Sequence, residues 1–128
     1  MSRYLTQQRL LPLLVALAAI VGAAPAFADS YPVSGKWSYD ISGTGPAKDC
    51  GPRYMSFDGD QRRDTGGGVP GYRNFSVTQT GTSSYDITDQ FATGQINARS
   101  TYTLRILDKD RIELNLAAGP VIQLRRCE

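Results

Sequence analysis

The sequence predicts a small all-β domain, an antiparallel meander of about six to eight strands that forms a closed or partly open barrel with one disulfide. Three observations predict it. Short segments with alternating apolar residues recur from residue 36 onward, turn-forming residues separate them, and no segment after residue 28 shows a helical period. Because each strand has one apolar face, the sheet must close into a barrel or fold into a sandwich to cover that face. The succession of hairpins without an obvious crossover favours the barrel.

The first half of the domain contains three predicted strands, 36–41, 53–57 and 72–80, in which apolar and polar side chains alternate. Between the last two, residues 58–70 combine glycines and a proline with charged side chains. This composition predicts one long loop.

The second half begins with a predicted hairpin, because the Gly-Thr-Ser turn at 81–83 joins strand 72–80 to a strand over 85–91. Residues 92–97 fit either a turn or a bulge within a continuing strand. Polar or Gly-Pro turns then separate the remaining predicted strands, which are 101–107, 111–116 and 121–127.

The N-terminal residues have the organisation of a secretory signal peptide. Two arginines precede an apolar run over 10–24, and the small residues Ala26 and Ala28 form a signal peptidase site. The run has 15 residues, fewer than the roughly 20 needed to cross a hydrocarbon core, which disfavours a retained membrane anchor. We therefore expect cleavage of residues 1–28 and export to the periplasm or the extracellular space.

Cleavage would leave one domain, residues 29–128, whose composition limits its partners. Two of the 14 basic residues belong to the signal, so 12 basic residues remain beside 12 acidic ones. A neutral domain gives no electrostatic reason to expect a nucleic acid or an anionic membrane as its partner. We also predict no stable membrane insertion after cleavage.

Cys50 and Cys127 are the two cysteines of the chain. In an oxidising compartment a disulfide between them is the default expectation. The bond would close a loop over most of the domain, which the chain-entropy treatment values at roughly 4 kcal/mol. A metal site is not predicted from two isolated cysteines in a chain without histidine, and a reactive thiol would need a reducing compartment.

The absence of histidine excludes Ser-His-Asp and Cys-His catalysis. A hydrolase would have to use a Ser-Lys pair or carboxylates that share one cleft, and Asp58, Asp60, Asp64 and Asp89 are the candidate carboxylates. We predict no catalytic residue and no cofactor. A carboxylate-dependent envelope hydrolase and a structural envelope protein without a ligand remain as alternatives.

Charged residues concentrate in the predicted loop over 58–70. Its aspartates are spaced as in a calcium loop, but Arg62 and Arg63 occupy the positions that need an oxygen ligand and a glycine, so calcium is not predicted. The arginines indicate an anion-binding or partner-binding edge, or a surface neutralised by nearby aspartates. The candidate partner-binding residues are Asp58, Asp60, Arg62, Arg63 and Asp64, with Arg53 and Arg73 beside them.

Gly35-Lys36-Trp37 at the first strand, an early cysteine, the meander and the ending Leu124-Arg125-Arg126-Cys127 resemble small calycin-like barrels. In lipocalins and exported bacterial protease inhibitors of this type, a Gly-x-Trp tryptophan closes one barrel end, often under an arginine from the last strand. The resemblance implies that Trp37 is this tryptophan and that Arg125 or Arg126 is the arginine. The chain is shorter than a typical lipocalin, with few strands for a large cavity.

We therefore predict a non-enzymatic exported binding module, with an inhibitor-like role implied by the resemblance. It would hold a small apolar ligand in the barrel or an envelope protein through residues 58–71. Aromatic residues could line such a ligand pocket, or they could serve as core and edge residues of strands. The candidate ligand-binding residues are Trp37, Tyr39, Tyr72, Tyr85, Tyr102 and Arg125.

Overall fold

A computed structural model describes residues 30–67 and 69–128, which form a closed antiparallel barrel of eight strands. Each strand pairs with the next, and β8 pairs with β1 to close the barrel. The predicted all-β class and meander are confirmed, whereas the predicted signal peptide lies outside the described residues. The strands are β1 (Gly35–Ser38), β2 (Tyr54–Asp58), β3 (Gln61–Asp64), β4 (Gly71–Gln79), β5 (Ser84–Thr93), β6 (Ile96–Asp108), β7 (Arg111–Leu116) and β8 (Val121–Cys127).

The inward-facing side chains form one apolar core, because alternate residues of each strand point into the barrel. An eight-stranded barrel is just wide enough for side chains to fill it. Burying each large apolar side chain contributes about 1.5–3 kcal/mol. The core side chains with exposures of 2% or less are Trp37, Met55, Phe57, Ile87, Tyr102, Leu104, Ile112, Leu114 and Leu124.

Residues 61–64 form strand β3, so the prediction of a single loop over 58–70 is wrong for this segment. The one buried side chain of β3 is Arg62, and the strand therefore lacks the apolar alternation by which strands are recognised. Gly59, with a φ of 59°, lies in the tight turn between β2 and β3.

The ambiguous segment 92–97 contains a hairpin turn that joins β5 to β6. β5 continues beyond Gln90, the last residue that pairs with β4. β6 pairs with β7 only from Tyr102 onward. Residues 91–101 consequently project beyond the neighbouring strands, and we call this segment the hairpin arm.

Two arginines hold the connection between β1 and β2, residues 39–53, against the outside of the barrel. Arg125 on β8 donates hydrogen bonds to four backbone carbonyls between residues 42 and 46. Arg111 on β7 donates to two further carbonyls of the same connection. Since these carbonyls have no strand partner, the guanidinium groups supply their hydrogen bonds.

The predicted disulfide between Cys50 and Cys127 is confirmed, with a Cα–Cα distance of 5.0 Å. Two hydrogen bonds support the same junction. The Ser38 hydroxyl donates to the carbonyl of Cys50 at 2.9 Å, and the Ala47 N–H donates to the carbonyl of Arg126 at 2.8 Å. The disulfide is consistent with an exported protein. No helix within 30–67 and 69–128 is long and apolar enough to span a membrane.

Candidate functional site

A buried polar cluster inside the barrel supports the wall formed by β3 to β6. Asp89 on β5 has 0% exposure and is the centre of the cluster. Its carboxylate accepts hydrogen bonds from Tyr31 at 2.8 Å, Arg62 at 2.8 Å and Tyr102 at 2.9 Å. Asn74 adds a longer bond of 3.4 Å. This many donors can stabilise a carboxylate that has no access to water.

Arg62 is the buried cation of this cluster, and two tyrosine rings lie close to it. Its guanidinium lies 3.7 Å from the ring centroid of Tyr72 and 5.1 Å from that of Tyr102. Burial favours a lower pKa for Arg62, but the electrostatic influence of Tyr102 and Asp89 outweighs burial and raises the pKa overall. Arg62 therefore stays charged and keeps Asp89 compensated.

Strand β4 has a bulge between Asn74 and Ser76, beside the buried cluster. Asn74 donates to the carbonyl of Ser76 at 3.3 Å, and its Oδ1 is the one buried side-chain oxygen without a partner in the described part of the chain. Phe75, between them, is 46% exposed. The guanidinium of Arg99 lies 3.8 Å from the Phe75 ring centroid, so an exposed aromatic ring lies beside an outward arginine.

Tyr31 and Tyr102 link the cluster to the pH dependence of folding. Burial raises the pKa of both phenols, and the neighbouring carboxylate of Asp89 raises it further, whereas Arg62 acts in the opposite direction. Both phenols stay protonated in the folded protein at pH values where an unfolded tyrosine, with a pKa of about 10, loses its proton. Their contribution to stability is thus complete below pH ~10 and declines above it.

We expect the free energy of unfolding to fall above pH ~10, with Tyr102 contributing a slope of about 1.4 kcal/mol per pH unit. Tyr102→Phe should remove that slope and lower stability at neutral pH. Tyr85→Phe, on the same strand as Asp89 but outside the cluster, is the control. Urea unfolding at a series of alkaline pH values measures the effect. An unchanged slope in Tyr102→Phe would contradict it.

Two adjoining depressions on the outer surface of β3 to β6 form one open groove, which we call the arginine groove. Their volumes are about 650 and 400 Å³. They share Arg73, Gln90, Phe91 and Ala92. The other residues that line the groove are Gln61, Arg62, Arg63, Gly71, Tyr72, Asn97, Ala98 and Arg99.

Strand register brings the groove's polar side chains into a row. Arg73 on β4 pairs with Gln90 on β5, and Gln90 pairs with Arg99 on β6. The residues next to them on the opposite face are Asn74 and Asp89 of the buried cluster. The outer row and the inner cluster therefore occupy the two faces of the same piece of sheet.

The groove is positively charged, since three outward arginines, Arg63, Arg73 and Arg99, and no acidic residue are among its lining residues. The fourth lining arginine, Arg62, is buried and paired with Asp89. Arg73 forms a 3.1 Å ion pair with Asp60, but this pair is exposed and thus weak. Arg63 and Arg99 have no ion-pair partner among the described residues. Guanidinium groups with nearby amides and aromatic rings are suited to bind carboxylates or other planar anions.

Neither family models, curated proteins nor solved structures match this chain. Its function must therefore be inferred from the geometry of its own residues. Within the described ranges no group of three or more Cys, Asp or Glu side chains is arranged to hold a metal ion.

The aromatic residues predicted to bind a ligand do not surround one pocket. Trp37 and Tyr102 are buried in the core, each with 2% exposure or less. Tyr39 and Tyr85 are half-buried and pack against the edge of that core. Tyr72 alone among them lines the arginine groove. This distribution fits the packing alternative for most of the aromatic set.

The two arginines before the last cysteine have different positions. The guanidinium of Arg126 lies over Trp37, 4.3 Å from the ring centroid. Arg125, predicted to bind a ligand, faces outward and donates to the carbonyl of Thr44 at 2.8 Å. Strand alternation distinguishes them, because Arg126 is in phase with the buried Leu124.

The predicted partner-binding residues are divided between the two faces of the sheet. Arg62 faces inward and binds Asp89, whereas Arg63 is exposed and lines the groove. Asp60 reaches the edge of the groove through its ion pair with Arg73. The predicted arginine-rich edge therefore exists in part.

The remaining acidic candidates are not among the residues that line the arginine groove. Asp58 is exposed at the end of β2. Asp64 accepts a 2.8 Å hydrogen bond from the Tyr39 hydroxyl and lines a neighbouring depression, which shares Arg63 and Gly71 with the arginine groove. Asp89 is fully buried. Neither the arginine groove nor the depression beside Asp64 is lined by two of the carboxylates that the hydrolase alternative requires.

Sequence reasoning missed Gln90 and Arg99 as groove residues, and Phe75 as the aromatic neighbour of Arg99. They belong to three strands that are separated in sequence and become neighbours only through the register. One local signal could have suggested Arg99, since it is a lone arginine that comes soon after the turn residues of the ambiguous segment 92–97.

Proposed function

We propose that the protein is an exported, non-enzymatic binding module that recognises an acidic surface of a partner protein through the arginine groove. The observation that carries this proposal is the cluster of outward arginines, Arg63, Arg73 and Arg99, around a groove without an acidic lining residue. The domain expected after cleavage has equal numbers of basic and acidic residues. The positive charge of the groove is therefore local.

A partner protein fits the geometry better than a small apolar ligand. The barrel interior is occupied by core side chains, while the two depressions of the groove open to solvent. Arginine and tyrosine are also the side chains that most often dominate protein interfaces. The exposed arginine and phenylalanine pair, Arg99 with Phe75, offers both charge and apolar area to a partner.

Two further observations support an exported, inhibitor-like module. The disulfide suits an oxidising compartment, in agreement with the signal peptide predicted over 1–28. Arg126 lies over Trp37, which is the arrangement that the calycin resemblance implies for the last strand and the first. Both observations are compatible with binding without catalysis.

The proposal is tested by photocrosslinking in the native host, with benzoylphenylalanine in place of Gln90 in the groove. We expect a crosslinked partner protein from Gln90, and none from Leu107, an exposed residue near the opposite end of β6. The double variant Arg73→Glu/Arg99→Glu should reduce this crosslink at least about tenfold, because central arginines dominate such interfaces.

The matched control is Arg105→Glu, which reverses the charge of another exposed arginine on β6. It should leave the Gln90 crosslink unchanged. Equal crosslinking from Gln90 and Leu107, or a Gln90 crosslink that survives the double charge reversal, would refute the arginine groove as the partner site.

A further inference from the structure

The hairpin arm has an unpaired strand edge. Residues 96–101 of β6 pair with β5 on one side, and pairing with β7 begins only at Tyr102. On the other side, no strand of the described chain lies beside them. An unpaired edge presents N–H and C=O groups to which an added strand can bind.

The hydrogen-bond pattern shows which residues face this free side. Ile106 donates its N–H to Ser83, on the β5 side of β6. Backbone N–H and C=O groups of successive residues point to opposite sides of a strand. In this part of β6, the backbone groups of the even-numbered residues therefore point toward β5. The backbone groups of Asn97, Arg99 and Thr101 therefore face the free side.

The side chains along this edge are polar on one face of the strand and apolar on the other. Asn97 and Arg99 line the arginine groove on the outer face. On the other face, Ile96 is 67% exposed and is followed by Ala98. An added strand would thus meet a positive charge on one face and an apolar surface on the other.

A second copy of the chain is a poor occupant of this edge. Arg99 is the middle one of the three residues whose backbone groups face the free side. Antiparallel pairing of two copies centred there would place Arg99 of one copy directly opposite Arg99 of the other. Like charges at opposite positions in a sheet destabilise the pair, whereas a carboxylate opposite an arginine stabilises it. The charge of the edge therefore selects an acidic strand.

We infer that the free edge of β6 binds an extended segment of the partner by antiparallel strand addition. Carboxylates of that segment face Arg99 and the arginine groove, and its alternate apolar side chains lie beside Ile96. The inference rests on the proposed function, since the same groove supplies the charge, and adds the mode of binding and the sequence character of the partner.

The test uses the exported, oxidised protein and a capped peptide of alternating Glu and Val, with affinity measured by fluorescence anisotropy. We expect this peptide to bind and a Lys-Val analogue not to bind. In the bound strand, the N–H groups of the Glu residues face β6, because paired residues project their side chains to the same face. Methylation of the Glu amides should therefore weaken binding at least tenfold, and methylation of the Val amides should not.

Two protein variants complete the test. Arg99→Glu should transfer binding from the Glu-Val to the Lys-Val peptide. Asn97→Pro removes one N–H on the free side and keeps the arginines, and it should weaken the Glu-Val peptide without affecting the β5 pairing. Arg105→Glu is the matched control. Because it loses the ion pair with Glu113, a cooperative urea transition, and not an unchanged midpoint, shows that each variant folds.

The outcomes separate the two proposals. If the Glu-Val peptide binds and Arg99→Glu abolishes binding, but methylated and unmethylated peptides bind equally, strand addition is wrong and acidic recognition stands. If no peptide binds while the Gln90 crosslink still depends on the arginines, strand addition is again wrong and the groove remains the partner site. Equal affinity for a single-stranded DNA of the same charge would overturn a protein strand as the occupant.

Discussion

Replacement of Arg62 by leucine is expected to lower the free energy of unfolding by about 3–5 kcal/mol, the usual effect of removing one partner of a buried ion pair. Asp89 would remain fully buried without the cation that lies 2.8 Å away. Its remaining donors are neutral. Urea unfolding at neutral pH measures the loss.

The neighbouring Arg63→Leu is the matched control, because Arg63 is on the same strand but exposed. Its effect should stay within about 0.5 kcal/mol, as for most surface substitutions. The double variant Arg62→Leu/Asp89→Leu should be more stable than Arg62→Leu alone, since it leaves no unpaired charge. A single variant that loses less than about 1 kcal/mol would show that the ion pair is not a main support of this wall.

Removal of the disulfide is the second large effect. We expect Cys50→Ala/Cys127→Ala to lose about 4 kcal/mol, because the bond restricts an unfolded chain whose linked residues are 77 apart in sequence. That is a large part of the roughly 5–15 kcal/mol that stabilises an ordinary domain. Equilibrium unfolding with and without reductant provides the measurement.

The reduced wild type is the control for the double variant, and the two should unfold at the same urea concentration. If reduction leaves the midpoint unchanged, the bond is redundant, and other contacts in the folded barrel are the main support of the connection 39–53. Those contacts are the carbonyl bonds of Arg125 and Arg111. The variant Arg125→Ala would then show the larger loss.

Most of the fold could be predicted from the sequence, because the alternation of apolar residues and the positions of turn-forming residues indicate the same boundaries for most strands. The last hairpin, β7 with β8, is an example: its turn residues and inward leucines, such as Leu114 and Leu124, are all explicit in the sequence. Strand β3 could not be predicted, since its inward side chain is charged. The partner that makes Arg62 acceptable in the core, Asp89, is 27 residues away.

The candidate site was less predictable than the fold. The sequence indicated an arginine-rich edge near residues 58–73, and Arg63 and Arg73 do line the groove. The other half of the groove comes from β5 and β6, where the register alone places Gln90 and Arg99 beside Arg73. Local sequence patterns contain no information on the register in which neighbouring strands pair.

The position of Tyr31 connects maturation to packing. Its hydroxyl binds the buried Asp89, and its N–H donates to Gly59 at 2.9 Å, so the beginning of the described chain is part of the core. Only two residues separate Tyr31 from Ala28, the predicted cleavage position, and a spacer of that length spans about 7 Å at most. If the predicted cleavage occurs, the new N-terminus would therefore lie two residues before a side chain of the core. Processing and completion of the core would then involve neighbouring residues of the chain.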